Sequence, residues 1–247
     1  MGTGSDLAAV LGSLRPSRGT TGLIGADPHL CAQVLRVDGL AASATTDGGL
    51  AEVLWSTPGA STRLEDWQYT LGQGPGPETT ACCAPVLVPD LSRVPTGRWP
   101  ALLPQLTELG IGAVFCLPLH VGSACLGTLT LQRAAPGPLS DTAMTDAWIV
   151  ANALTAILLQ GGPQRDAFAA AENESDFYRA AVHQASGMVS VQAGVSLAQA
   201  LLRLRAYAFR HGRTVTEVAE DVVARRLSFR DDENGPGTAA GEGTEGP

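Results

Sequence analysis

The sequence predicts an α+β domain followed by an all-α module of three helices. Three observations carry this reading. Through the first 160 residues, short apolar runs with strand-like spacing alternate with amphipathic stretches. Beyond them the apolar residues recur at helical spacing, and two of the helices open on capping signatures. Charge divides the chain in nearly the same place. The 247 residues carry a formal charge of −8, yet residues 179–230 hold eight arginines against three acids, net +5. Residues 1–178 are net −8 and residues 231–247 net −5.

Composition narrows the class. Hydrophobic residues make up 45% and charged residues 16%, an ordinary globular mixture. No uninterrupted apolar run approaches the roughly 18–20 residues of a membrane span, and the best stretch, 147–159, reads as too short. The opening MGTGSDLAAVLG lacks the positive region of a secretory signal. Five cysteines (Cys31, Cys82, Cys83, Cys116 and Cys125) show no CxxC or other metal-ligand spacing. Cys116 and Cys125 lie in apolar strand-like runs and read as buried reduced thiols. The adjacent Cys82 and Cys83 are the arrangement that could sense an oxidant. Reduced thiols without an export signal point to the cytoplasm and away from a membrane.

The first domain reads in order as follows. A helix is expected over 29–37, then strands over 40–46 and 52–57, a helix over 60–67 and a strand over 85–88. A helix over 99–109 precedes strands over 113–121 and 124–133. Only Gly122 and Ser123 separate those two, a link whose leading glycine suits a type II′ hairpin turn. Ser140 caps a helix over 141–160 with apolar residues at Ala147, Val150, Leu154, Ile157 and Leu158. Strands pairing as antiparallel neighbours with helices gathered around them make an α+β domain.

No catalytic set emerges. The histidines His29, His120, His183 and His211 are scattered without a spaced carboxylate or cysteine partner, and His29-x-Cys31 is a weak metal signal. The glycines Gly72, Gly74 and Gly76 lack the strand–turn–helix setting and the downstream acid of a dinucleotide site. No enzyme activity, metal or cofactor is expected. The run VLWSTPGASTRLEDWQYTLGQGPGPETTACCAPVLVPDLS, with RWPALLPQLTELGIGAVFCLPLHVGSACLGTLTLQ after it, resembles the GAF domain, as found in actinobacterial regulators. The resemblance covers residues 15–160 and implies an antiparallel sheet flanked by helices, with a small-molecule pocket between sheet and overlying loops. Many such relatives carry a cysteine after the GP pair, where this chain has Gly76. Trp55, Trp67 and Phe115, with Trp99, are the candidates to line a pocket for an unknown ligand.

Gly161, Gly162 and Pro163 break the preceding helix and open a helical linker over 161–175. A helical pattern over 164–192 carries Tyr178, Val182, Ala185, Val189 and Gln192 on one stripe, and Gly194 suits its end. Ser196 with Gln199, then Thr214 with Glu217, form capping boxes for a second and a third helix. Leu197, Ala200, Leu201, Leu204 and Ala208 stripe the second; Val215, Val218, Ala219, Val222 and Leu227 stripe the third. Residues 176–230 resemble the ANTAR domain: Ala185, Gly187 and Met188 match its A-x-G-M run, Ala200, Leu204, Arg205 and Ala208 its second helix, Val218 and Ala219 its third. The resemblance implies RNA-binding transcription antitermination, with dimers acting on paired stem-loops. Ser186 stands where the family often has lysine.

Arg203, Arg205, Arg210 and Arg213 cluster around the end of the second helix, with Tyr207 beside them. Arginines suit phosphates, and an aromatic ring suits an unstacked base. Arg205 and Arg213 are the expected phosphate or base contacts and Tyr207 a stacking platform. Gln184 is placed to read a base edge. Residues 231–247, acidic and without aromatic or branched aliphatic side chains, read as a disordered tail. The combined expectation is a cytoplasmic, homodimeric, signal-responsive regulator that binds RNA stem-loops under control of its sensor domain. Two rivals stand beside it. ALLRLRAYAFRHGRTVTEVAEDVV also reads as a helix-turn-helix binding duplex DNA, and the chain could be a redox or ligand sensor whose C-terminus serves only dimerisation.

Overall fold

Alternation within 113–133 builds the centre of the sheet, because successive strand residues point to opposite faces and GTLTLQ sorts leucines from polar side chains. The computed structural model describes residues 3–14, 26–45, 51–159 and 174–230, and the chain divides into two units, Met1–Asn173 and Glu174–Pro247. In the first, β1 (Gly39–Thr45), β2 (Ala51–Ser56), β3 (Val86–Val88), β4 (Ala113–Val121) and β5 (Ala124–Arg133) form one sheet. Its order is β2-β1-β5-β4-β3 and every pairing is antiparallel. Gly122 sits at φ 58°, as the first central position of a II′ turn requires, and Val121 pairs with Ala124 across it.

The two faces of the sheet differ in chemistry. Leu40, Ala42, Trp55, Phe115, Leu117, Leu129 and Leu131 share a core with three helices. These are α1 (Thr3–Leu14), α2 (Pro28–Leu35) and α6 (Asp141–Leu159). α1 contributes Leu7, Val10 and Leu14 at helical spacing. The apolar stretch expected at 147–159 belongs to a longer helix: α6 has 19 residues and is by itself long and apolar enough to cross a membrane. Its stripe of Ala143, Ala147, Val150, Leu154 and Ile157 is instead buried in this core.

On the other face, Ser43, Thr128, Thr130 and Gln132 are buried polar residues, the alternates of the leucines in β1 and β5. Around them pack α3 (Ala60–Leu71), α4 (Pro75–Cys82) and α5 (Leu103–Glu108). A second apolar cluster joins Leu64, Trp67, Trp99, Leu102, Leu106, Val114 and Cys116. α4 had no counterpart among the elements expected from sequence. It starts on Pro75, tolerated there because the first turn leaves its N–H groups without helical partners. The Gly76 N–H donates to Gln68 Oε1 at 2.7 Å. Arg98 donates from Nη2 and Nε to Glu78 at 2.7 and 3.1 Å, and Trp99 Nε1 donates to the same carboxylate at 3.1 Å.

The second unit holds α7 (Glu174–Ala193), α8 (Leu197–Arg210) and α9 (Val215–Val223). Both capping boxes form. Gln199 N–H donates to Ser196 Oγ at 3.3 Å while Gln199 Oε1 accepts from Ser196 N–H at 3.0 Å. Thr214 and Glu217 repeat the exchange at 3.3 and 2.9 Å. Gly194 and Gly212, at φ 61° and 63°, let the chain leave α7 and α8. Ala180–Ala193 and Leu197–Arg210 meet at 103°. Val182, Ala185, Val189, Ala200, Leu204, Ala208, Val218 and Val222 are buried, and Phe229 closes the bundle, its N–H donating to Gln192 Oε1 at 2.9 Å. Most of the expected linker 161–175 and the whole of the tail 231–247 lie outside the described residues.

Candidate nucleic-acid interface

α8 turns Ala200, Leu204 and Ala208 inward, so at about 100° per residue its opposite side is set by geometry. That side carries Ala198, Leu202, Ala206 and Phe209, all exposed. Leu202 is 66% exposed and Phe209 60%. Leucine and phenylalanine so placed form an apolar stripe facing water, which folding alone does not reward. On the helical wheel Arg205 flanks the stripe on one side, Arg203 and Arg210 on the other. Arg210 is exposed, and Arg203 and Arg205 are half-buried with contacts inside the protein.

The other residues expected at the interface are placed differently. The Arg213 guanidinium turns back onto α9: Nη1 lies 2.8 Å from Asp221 Oδ2 and Nη2 donates to the Glu217 carbonyl at 2.9 Å. Arg226 meets the same carboxylate at 2.7 Å. Burial opposes the charge on Asp221, but the hydrogen bonds and charges of Arg213 and Arg226 outweigh it and hold the carboxyl below its ordinary range. Tyr207 is half-buried and stacked on His211 with ring centroids 3.9 Å apart, and its ring makes a T-shaped pair with Phe229 at 5.5 Å. One face of that ring is therefore already covered. Ser186 is 7% exposed and its hydroxyl donates to the Val182 carbonyl at 2.8 Å, which turns it away from solvent. Gln184 is exposed on α7. Sequence reasoning missed Phe209, although the stripe Ala200–Leu204–Ala208 already places it on the outer side.

In the first unit, Trp55, Trp67 and Phe115 do not converge. Trp55 and Phe115 belong to the leucine-rich core, and Trp55 Nε1 donates to the Ala26 carbonyl at 2.8 Å. Trp67 belongs, with Trp99, to the cluster on the other face. The polar layer lies on that second face. Ser43 Oγ donates to Glu65 Oε2 at 3.1 Å and Gln68 Nε2 to Glu65 Oε1 at 3.0 Å. Thr57 Oγ1 donates to Ser61 Oγ at 2.8 Å. Burial pushes the thiols of Cys31 and Cys116 up to about 12. Cys125, expected to be buried, is half-exposed at the hairpin end of β5. Among the described residues no group of three or more His, Cys, Asp or Glu is placed to hold a metal ion.

A family model for the GAF domain matches residues 26–158, and one for the ANTAR domain matches residues 178–223. Solved structures include similar folds. The GAF domain of a Coxiella burnetii phosphoenolpyruvate-protein phosphotransferase is 14% identical with a TM-score of 0.49, covering 64% of this chain and 93% of that one. The corresponding Acinetobacter domain is 12% identical with a TM-score of 0.48 over 64% and 93%. A search of curated proteins found no match.

Proposed function

The chain belongs to the GAF domain family and carries an ANTAR domain in its second unit, and from that premise we propose that it is a signal-responsive transcription antitermination regulator that binds RNA stem-loops through α8. Both domains are regulatory, and the chain acts by binding rather than catalysis. The observation that carries the reading is the outer side of α8. An exposed phenylalanine and leucine bordered by arginines suit an RNA loop, whose unstacked bases seek flat apolar partners and whose phosphates seek guanidinium groups. Phe209 takes the stacking role expected of Tyr207, and Arg203, Arg205 and Arg210 supply the charge. Arg213 shapes the turn that presents them.

The protein works in the cytoplasm as a homodimer, so that two modules engage two hairpins and gain avidity. Ile149 and Leu159, exposed on α6 with Asn152 and Ala156 on the same stripe, favour that helix as part of the dimer contact, together with α7. A small molecule acting on the GAF domain would shift the balance between pairing states.

The test is binding of the full chain to a tandem stem-loop RNA, a single hairpin and duplex DNA over a range of salt. Tandem RNA is expected to bind most tightly. Phe209→Ala and Arg205→Ala should each weaken it by about 1–3 kcal/mol, and Arg210→Ala should flatten the salt dependence by about one phosphate contact. Tighter binding to duplex DNA, or an RNA affinity indifferent to Phe209→Ala, overturns the reading. Readthrough of a terminator that follows the hairpins checks the antitermination step.

A further inference from the structure

Three of the five cysteines meet where α4 ends and β5 begins. Cys82 is the last residue of α4, and Cys83 caps it in the left-handed region at φ 50°. Cys125 lies one residue into β5, just past the hairpin turn. Although 42 positions separate Cys83 from Cys125 in sequence, α4 packs on β5, and the Cys83 and Cys82 thiols are near enough to act electrostatically on Cys125. The remaining contacts are to backbone. Cys82 Sγ donates to the Glu78 carbonyl at 3.0 Å and Cys125 Sγ to the Gly127 carbonyl at 3.3 Å. Solvent reaches this cluster: Cys82 is exposed, Cys83 and Cys125 half-buried. Cys31 and Cys116, by contrast, are sealed in the two faces of the sheet at 0% exposure.

We propose that Cys83 and Cys125 form a reversible disulfide on reaction with a peroxide, making the end of α4 a thiol-oxidation site on the sensor domain. The chemistry closes with peroxide as the named oxidant. The Cys83 thiolate attacks one peroxide oxygen, the O–O bond breaks, and Cys83 becomes a sulfenic acid as hydroxide leaves and is protonated to water. The Cys125 sulfur then attacks Cys83 Sγ, the S–O bond breaks, and the departing hydroxide takes the Cys125 proton. Two thiols and one hydrogen peroxide become one disulfide and two waters. A small dithiol reverses it by exchange. Burial foremost, and then the neighbouring thiols, hold the Cys125 thiol above its ordinary range.

The two residues come from different elements of one sheet face, so the bond fastens the end of α4 to β5. The adjacency of Cys82 and Cys83 in sequence had pointed to that pair instead. A disulfide between neighbouring residues forces an eight-membered ring on the backbone, whereas Cys83 and Cys125 sit on two elements that pack together.

The experiment treats the reduced full chain with hydrogen peroxide, alkylates under denaturing conditions and maps the peptides. Expected is a chain two hydrogens lighter, with three of its five thiols still alkylated and the peptide holding Cys82 and Cys83 linked to the one holding Cys125. Cys82→Ser should retain the link; Cys83→Ser and Cys125→Ser should each reduce it to background, with unchanged circular dichroism. The wild-type map stands independently of whether a variant folds. A bond between Cys82 and Cys83, a bond only between chains, a link surviving in Cys83→Ser, or unchanged thiols after peroxide overturns the proposal.

Discussion

Asp221 accepts from two guanidinium groups, Arg213 at 2.8 Å and Arg226 at 2.7 Å. From sequence Arg213 looked like an RNA contact. Arg213 precedes the first turn of α9 and Asp221 lies two turns along it, a pairing that linear spacing does not reveal. Its worth is modest, because Arg226 is well exposed and solvent screens the pair. Asp221→Asn is expected to cost about 1 kcal/mol at neutral pH. Because the folded carboxyl is held below its ordinary value of 3.8, its contribution is full above that value and lost as pH falls through the lowered one. Thermal melts of wild type and variant should therefore differ at neutral pH and converge in acid; an equal gap at both would remove the ion-pair account. Phe209 teaches the opposite lesson. From the buried stripe of α8 the wheel sets Tyr207 about 60° from its centre and Phe209 about 140° away, so the exposed ring was legible where the more familiar stacking residue drew attention.

Elements defined by local chemistry were the most legible. The hairpin β4–β5 and both capping boxes follow from a few adjacent residues: Gly122 at a positive φ, Ser196 with Gln199, Thr214 with Glu217. Thr214 is 3% exposed, so removing its hydroxyl strands a donor away from water, whereas Ser196 is exposed. Thr214→Ala should cost about 1–2 kcal/mol and Ser196→Ala about half as much. Denaturant midpoints would show the order, and equal losses would mean that burial is not what separates the two caps. α4 escaped because PGPETTAC has no apolar period and two prolines; its helix is held by Gln68 and by Glu78 with Arg98 and Trp99, all tertiary contacts. α1 escaped despite Leu7, Val10 and Leu14 lying at helical spacing, since its burial depends on a core assembled from residues much later in the chain.

At the scale of the whole chain, alternation reveals that a strand has two faces but not which neighbour each will meet. The order β2-β1-β5-β4-β3 puts Trp55 and Phe115 on one side of the sheet and Trp67 on the other, so no reading of single strands could have shown that these aromatics never share a pocket. The separation into two units is easier to see, because each buries its own apolar stripes. It also has a spectroscopic consequence. All four tryptophans, Trp55, Trp67, Trp99 and Trp148, lie in the unit Met1–Asn173, and none in Glu174–Pro247. Tryptophan emission therefore follows the sheet-containing unit alone, while far-ultraviolet circular dichroism follows the helices of both. Leu204 is fully buried at the centre of α8, and Leu204→Ala should cost the helical unit about 2–5 kcal/mol. If the units unfold separately, the substitution will shift part of the circular dichroism transition to lower denaturant and leave the tryptophan transition where it was. A tryptophan midpoint that moves with the dichroism would mean that the two cores melt as one cooperative body.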